Sequence, residues 1–340
     1  MQTTEKGPAI SVVMPTHNTP VPWLKEAVES ILNQTFGDFE FLIIDDGSTN
    51  DSPSYLAAID DPRVRVITNP ENIGITKSLN VGLRAARGKY IARMDSDDIS
   101  EKERFAKQYA HMETHPETVI CGTWAKNFGT TEGPDTRSFT DQESYRIDTL
   151  FHNPGPMHST VFFRREVLEK HAITYDESMP YVQDYEIFSR LCQYGGVDSL
   201  QTFLLRRRRH EQQICSTKGT EQRLLTIEIR RRLLEALMGP TTMEEAYSHV
   251  RIFEQPGISE EAIRWFHSLI QANRISHIYD QKRFEAFIND MITRKTKYKY
   301  RISWSRPWRY AILLRYLPIS YLMKKGLEKV RKIIFKGTRQ

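Results

Sequence analysis

The sequence predicts an α/β fold with a mainly parallel sheet flanked by helices, followed by a helical extension. Over the first two hundred residues, short apolar runs rich in β-branched residues alternate with amphipathic stretches, the pattern of successive βα units. Several of these runs end in acidic or turn-forming residues, near positions 16, 46 and 95. Beyond Glu221 the apolar residues recur at helical spacing only.

Taken in order, strands are expected at Ile10–Pro15, Phe39–Asp45, Val64–Thr68 and Tyr90–Met94. Trp23, Leu24, Ala27, Val28, Ile31 and Leu32 fall on one helical face, and a helix from Ile75 to Ala86 stops at Gly88. A helix over Lys102–His115 follows, then strand-like pieces at Val119–Cys121 and Thr160–Phe163 and short helices at Arg165–Lys170 and Asp184–Tyr194. The run Leu200–Leu205 leads into the block Arg206–Arg209 and His210. Gly239-Pro240 and Pro256-Gly257 divide the helical region up to about Thr293. These patterns divide the chain into an α/β domain over 1–215, a helical extension over 216–293 and a basic segment over 294–340.

The net charge of +5 is unevenly spread. Residues 294–340 carry fifteen Lys/Arg against Glu328 alone, a net of +14, which leaves −9 on the rest. Within that segment the apolar run Ala311–Met323 contains Arg315 and Pro318 and is shorter than the ~20 residues a membrane span requires. In Lys324–Lys336, Leu327, Val330 and Ile334 share a face opposite Lys325, Lys329 and Lys332, the layout of an interfacial helix on an anionic membrane surface. The alternative is a basic helix packed on its own domain. Cys121, Cys192 and Cys215 are scattered without metal-type spacing, and the N-terminus lacks a signal-peptide pattern, so a cytoplasmic protein held peripherally at the inner face of the plasma membrane is expected.

The strongest chemical feature is Asp95-Ser96-Asp97-Asp98 at the end of a predicted strand. Open α/β sheets bind ligands at this edge, and three acids in four residues repel one another unless a hard cation such as Mn²⁺ or Mg²⁺ neutralises them. Taken alone, such a triplet is more often a solvated turn. Asp45-Asp46-Gly47-Ser48 ends another strand; its acids suit a nucleoside's N–H or ribose hydroxyls, or simply cap a helix. Pro15, Thr16 and His17 close the first strand on the same rim. No GxGxxG or GxxxxGK[ST] loop accompanies them, which leaves dinucleotide and P-loop chemistry without support.

Together these stretches resemble glycosyltransferase family 2. The resemblance rests on Ser11–Asn18, Ser30–Phe36, Asp45–Thr49, Asn72-Ile73-Gly74, Leu79–Leu83, Gly88–Ala92 and Asp95–Asp98, in matching order and spacing over roughly residues 9–210. It implies a GT-A-type nucleotide-diphospho-sugar transferase fold and an inverting, non-processive, metal-dependent enzyme. The donor would be a UDP- or dTDP-sugar, and the acceptor a hydroxyl of a glycan or lipid-linked molecule in cell-surface polysaccharide synthesis, with no role for nucleic acid.

By the same resemblance Pro15, Thr16, His17 and Asp46 hold base and ribose, Asp95 and Ser96 contact the ribose side, and Asp97 takes the metal with Asp98 in support; Asp45 is a further supporting residue of the site. The stretch Gln183-Asp184-Tyr185 matches the family's general-base segment, which makes Asp184 the catalytic base; its bland reading is a helix N-cap. His158 belongs to the stretch that forms part of the acceptor floor, and His210 is a candidate metal or diphosphate contact. Lys77 and the Arg206–Arg209 block could face phosphates, although long basic side chains are usually just solvated. His17 stands where the family often has Tyr, and Gln183 replaces the usual Glu. The processive Gln-x-x-Arg-Trp motif is missing; Glu261–Trp265 begins with the wrong residue. Two other readings compete: a non-catalytic nucleotide-sugar-binding or membrane-recruitment module, and a haloacid-dehalogenase-type phosphatase using Asp95 as nucleophile.

Overall fold

The computed structural model describes residues 7–137, 141–211 and 218–300. Cys215 and the expected amphipathic helix of the basic segment lie outside the described residues. The chain divides into two compact units, Met1–Thr226 and Ile227–Gln340.

In the first unit β1 (Ile10–Thr16), β2 (Phe39–Asp45), β3 (Val64–Thr68) and β4 (Tyr90–Arg93) form a parallel sheet in the order β3-β2-β1-β4. Its crossovers contain α1 (Val21–Leu32), α2 (Ser52–Ala57) and α3 (Ile75–Ala85). The two-residue period of the strands sorts the core into layers. Ile10, Val12, Met14, Phe41 and Ile43 pack on one face with Leu24, Ala27, Val28 and Ile31 of α1. Val13, Leu42, Ile44 and Ile91 pack on the other with Leu79 of α3.

After β4 come β5 (Ile99–Ser100), α4 (Arg104–Thr114), β6 (Thr118–Gly129), β7 (Gly133–Asp135) and α5 (Gln142–Thr149). A 3-10 turn at His158–Thr160 leads to β8 (Phe162–Arg164), α6 (Arg165–Lys170), α7 (Gln183–Leu191) and β9 (Gly196–Arg209). Here the sheet turns mixed: β8 is antiparallel to both β4 and β6, while β9 runs parallel to β6 and antiparallel to β5.

Three expectations need correction. The strand-like run at Thr160 begins only at Phe162, because residues 158–160 form the 3-10 turn. The strand expected to end at Leu205 continues through the arginine block to Arg209, since β6 pairs with it as far as Gly129↔Arg209. Asp184 is not an N-cap: Val182 occupies that position, and Asp184 is the second residue of α7.

The first unit ends inside α8 (Gly219–Met238). The second contains α9 (Met243–Glu254), α10 (Glu260–Ser276) and α11 (Gln281–Tyr300). A capping box of Thr242 and Glu245 starts α9 and Ser259 caps α10, so the breaks fall beside Gly239-Pro240 and Pro256-Gly257. Trp265 donates from Nε1 to His249 Nδ1 at 2.9 Å, which gives the Glu261–Trp265 string a packing role inside α10.

Candidate active site

The rim at the C-terminal ends of β1, β2 and β4 opens onto a cavity of about 880 Å³. Pro15, Thr16, His17, Asp46, Asp95, Ser96, Asp97, His158, Asp184 and His210 all line it. The first unit supplies every lining residue.

Parallel pairing is what assembles the rim. Thr16 and Asp45 are register partners, and the Asp46 N–H donates to the Thr16 carbonyl at 2.8 Å. Asp46 is buried, and its carboxylate gathers the neighbouring loop: Oδ1 accepts from Asn69 Nδ2 and Ile73 N and Oδ2 from Gly74 N, each at 2.9 Å. Three of its roughly four acceptor positions are thereby taken, and one position on Oδ2 remains.

His17 Nδ1 donates to the Asp46 carbonyl at 2.8 Å, so Nε2 is left to accept from the Asn72 amide at 3.0 Å. Asn18 adopts the left-handed region (φ 51°) and its Oδ1 accepts from Thr49 N at 2.8 Å, which ties the first loop to the second. Gly47 (φ 65°) makes that turn possible, because a Cβ there would lie 2.7 Å from Asn72 N. Asp45 is buried and accepts from Ser48 N at 3.1 Å; it shapes the turn and does not line the cavity.

The acidic turn joins this network through Thr19 Oγ1, which bonds Ser96 Oγ at 2.7 Å. Asp95, Asp97 and Asp98 each offer a carboxylate oxygen, and these atoms lie within 4.8 Å of one another. Asp95 is ion-paired with the buried Arg93. Burial first, and then repulsion from Asp95, raises the Asp97 carboxyl above the usual range. Asp98 is raised further, by burial and then by Asp97 and Asp95. Its Oδ1 accepts from Arg208 N at 2.9 Å, while its buried Oδ2 lacks a hydrogen bond of standard geometry. Crowded carboxylates fit a hard divalent cation, which would relieve their mutual repulsion. His210 Nε2 lies 2.9 Å from Asp97 Oδ2 and contacts the cluster through that acid.

To the same cavity α7 presents Asp184, whose Oδ2 accepts from Asn153 Nδ2 at 3.2 Å. Asn153 Oδ1 accepts from Gly155 N at 3.0 Å, and a Cβ on Gly155 would collide with the Phe188 ring one turn along α7. Loop and helix are thus joined at two points. His158 Nε2 bonds Tyr175 Oη at 2.8 Å; burial first, and then the nearby Arg93, drives its pKa well below the ordinary value, so the ring is neutral at pH 7.

Lys77 is exposed on α3 and is not among the residues that line the cavity. Sequence reasoning passed over Trp23, Arg93, Arg137 and Asn153 as site residues and noted Gln183 only as standing in place of the family's usual Glu; all five line the cavity. Arg207 and Arg209 line it too, whereas Arg206 pairs with Glu101 and Arg208 with Glu26, so the strand's alternation selects two of the four arginines. Trp23 was legible only as an apolar helix position; its ring lies 4.9 Å from the His210 ring.

Residues 11–172 match the profile of Glycosyl transferase family 2. An uncharacterized glycosyltransferase of Methanocaldococcus jannaschii is 33% identical over 209 residues, 59% of this chain and 71% of that protein. This chain belongs to glycosyl transferase family 2. Among solved structures, S. aureus TarS 1–349 in complex with UDP-GlcNAc is similar with a TM-score of 0.56 at 17% identity, covering 87% of this chain and 93% of that one. The mannosyltransferase PcManGT from Pyrobaculum calidifontis in complex with GDP-Man and Mn²⁺ has a TM-score of 0.52 at 16% identity, covering 96% and 89%. The fold is of the GT-A type and the chain is a glycosyltransferase, which removes the dehalogenase-type reading.

Proposed function

We propose that this protein is an inverting, metal-dependent transferase that moves one sugar from a UDP- or dTDP-sugar to a hydroxyl of a glycan or lipid-linked acceptor in cell-surface polysaccharide synthesis. The observation that carries this reading is that Asp184 lines the same cavity as the Asp95–Asp97 turn. Inversion by single displacement requires one carboxylate to take the acceptor proton while charge grows on the departing diphosphate. Asp184 is that base, held through Oδ2 by Asn153. Asp97 and Asp98 would hold a Mn²⁺ or Mg²⁺ ion, with Asp95 beside them, and the ion when bound supplies neutralising charge for the leaving group. The solved relatives support the donor class in part: TarS is described with UDP-GlcNAc, and PcManGT with GDP-Man and Mn²⁺. A pyrimidine base follows from the family resemblance of the residues 15–17 and 46.

Isothermal titration with UDP and Mn²⁺, followed by a nucleotide-sugar screen with the product anomer read by NMR, tests the proposal. Turnover with inversion is expected; nucleotide binding without turnover on any donor would favour the non-catalytic module.

No helix among the described residues is long and apolar enough to cross a membrane. For the basic segment over 294–340 the proposal is attachment to anionic lipid, where a lipid-linked acceptor would lie. Each Lys or Arg near such a surface contributes about 1 kcal/mol, so four give a roughly thousandfold preference at low salt. Removing residues 294–340 is expected to abolish sedimentation with phosphatidylserine vesicles, and unchanged sedimentation would refute the attachment.

A further inference from the structure

Gln183 opens α7 immediately before Asp184 and lines the same cavity. Only 7% of the residue is exposed, yet Oε1 is buried without a hydrogen bond. Burying a carboxamide with no protein partner for its oxygen is unfavourable, so the group calls for a partner from outside the chain, a ligand or an ordered water. The surroundings are set to hold this end of α7 still. Asn153 fixes Asp184, Gly155 abuts Phe188, and Tyr181 adopts the left-handed region (φ 71°), a conformation that a bulky residue keeps only where neighbours enforce it. The Tyr181 carbonyl accepts from Gln222 Nε2 at 3.0 Å, one such restraint.

We propose that Gln183 is an acceptor-specificity residue, whose carboxamide bonds a second hydroxyl of the acceptor beside the one that Asp184 deprotonates. The inference rests on Asp184 being the base. It defines the acceptor class as a sugar or polyol with neighbouring hydroxyls, and it disfavours lone alcohols. A carboxamide can accept from or donate to a hydroxyl without adding charge beside the base, so Gln here recognises a second hydroxyl without placing another carboxylate next to Asp184 in the chain.

The test uses the full chain with Mn²⁺ and an active donor, and compares trans-1,2-cyclohexanediol with cyclohexanol as acceptors, each rate divided by that of donor hydrolysis. One added hydrogen bond predicts a wild-type preference of about tenfold for the diol. Gln183→Met, close in size but apolar, is expected to bring the ratio near one, and Gln183→Glu, which retains acceptor oxygens, to preserve it. A wild-type ratio near one, or a preference that survives in the Met variant, overturns the proposal. Ligand-detected NMR competition between the two alcohols on the UDP–Mn²⁺ complex reads the same preference without turnover. Hydrolysis and transfer undiminished in Asp184→Asn would instead strike the assignment of the base.

Discussion

At the ends of β1 and β2 the polar groups of the rim are bonded to one another: Asp46 holds residues 69, 73 and 74, His17 spans Asp46 and Asn72, and Asn18 reaches Thr49. The facing wall is less complete, since Asp184 has one bond at 3.2 Å and the Gln183 oxygen has none. A closed network is preorganised and needs no partner to take its shape, whereas an open one is finished by what binds. The matched profile covers residues 11–172, so it includes Asn153 and His158 of the cavity and ends before α7.

The largest expected effect breaks the wall and spares the rim. Asp184→Asn should lower kcat by about 10²–10⁴-fold with donor affinity nearly intact, measured by steady-state kinetics beside UDP titration. Asp97→Ala breaks the rim instead, and is expected to weaken Mn²⁺-dependent UDP binding by about 10–100-fold while leaving metal-free binding unchanged. Gly155→Ala pushes a methyl group into the Phe188 ring, so thermal unfolding should show a loss of about 1–3 kcal/mol, with kcat falling more than donor affinity.

The smallest effect concerns His158. Its folded pKa lies well below its unfolded value near 6.5, so the unfolded state binds the proton first and stability falls as pH drops below about 6.5. His158→Gln, which can still bond Tyr175, should flatten the dependence of Tm on pH between about 7 and 5; an unchanged slope would place the acid sensitivity elsewhere.

How much of this was legible follows from where the information sits. The rim was readable because alternating apolar runs define parallel strands, and parallel strands bring residues 16, 46 and 95 to one edge. Asp46 was read as a direct nucleoside contact; in the folded chain it also clamps the loop, since Asn69 and the amides of residues 73 and 74 give no signal in spacing. The short elements α2, β5, β7 and α5 fall below the length at which periodicity is visible. Asn153 and Gln183 could not be ranked because their importance lies in one hydrogen bond made and one left unmade. The arginine block looked like a solvated charge run, and only the register of β9 shows which members face inward.

That register carries a consequence for how the protein can change. Between Thr123↔Leu200 and Ala125↔Leu205 the two strands fall out of step, and the irregularity sets the phase in which Arg207 and Arg209 meet the cavity. A residue lost from the irregular stretch can be absorbed there, whereas one lost beyond it, between Leu205 and Arg209, would shift the alternation that separates Arg207 and Arg209 from Arg206 and Arg208 and their partners Glu101 and Glu26. Losing two would restore the pattern. Natural length variation is therefore expected at the irregularity and in even steps in the regular stretch beyond it, a rule that the genes of relatives can be searched for.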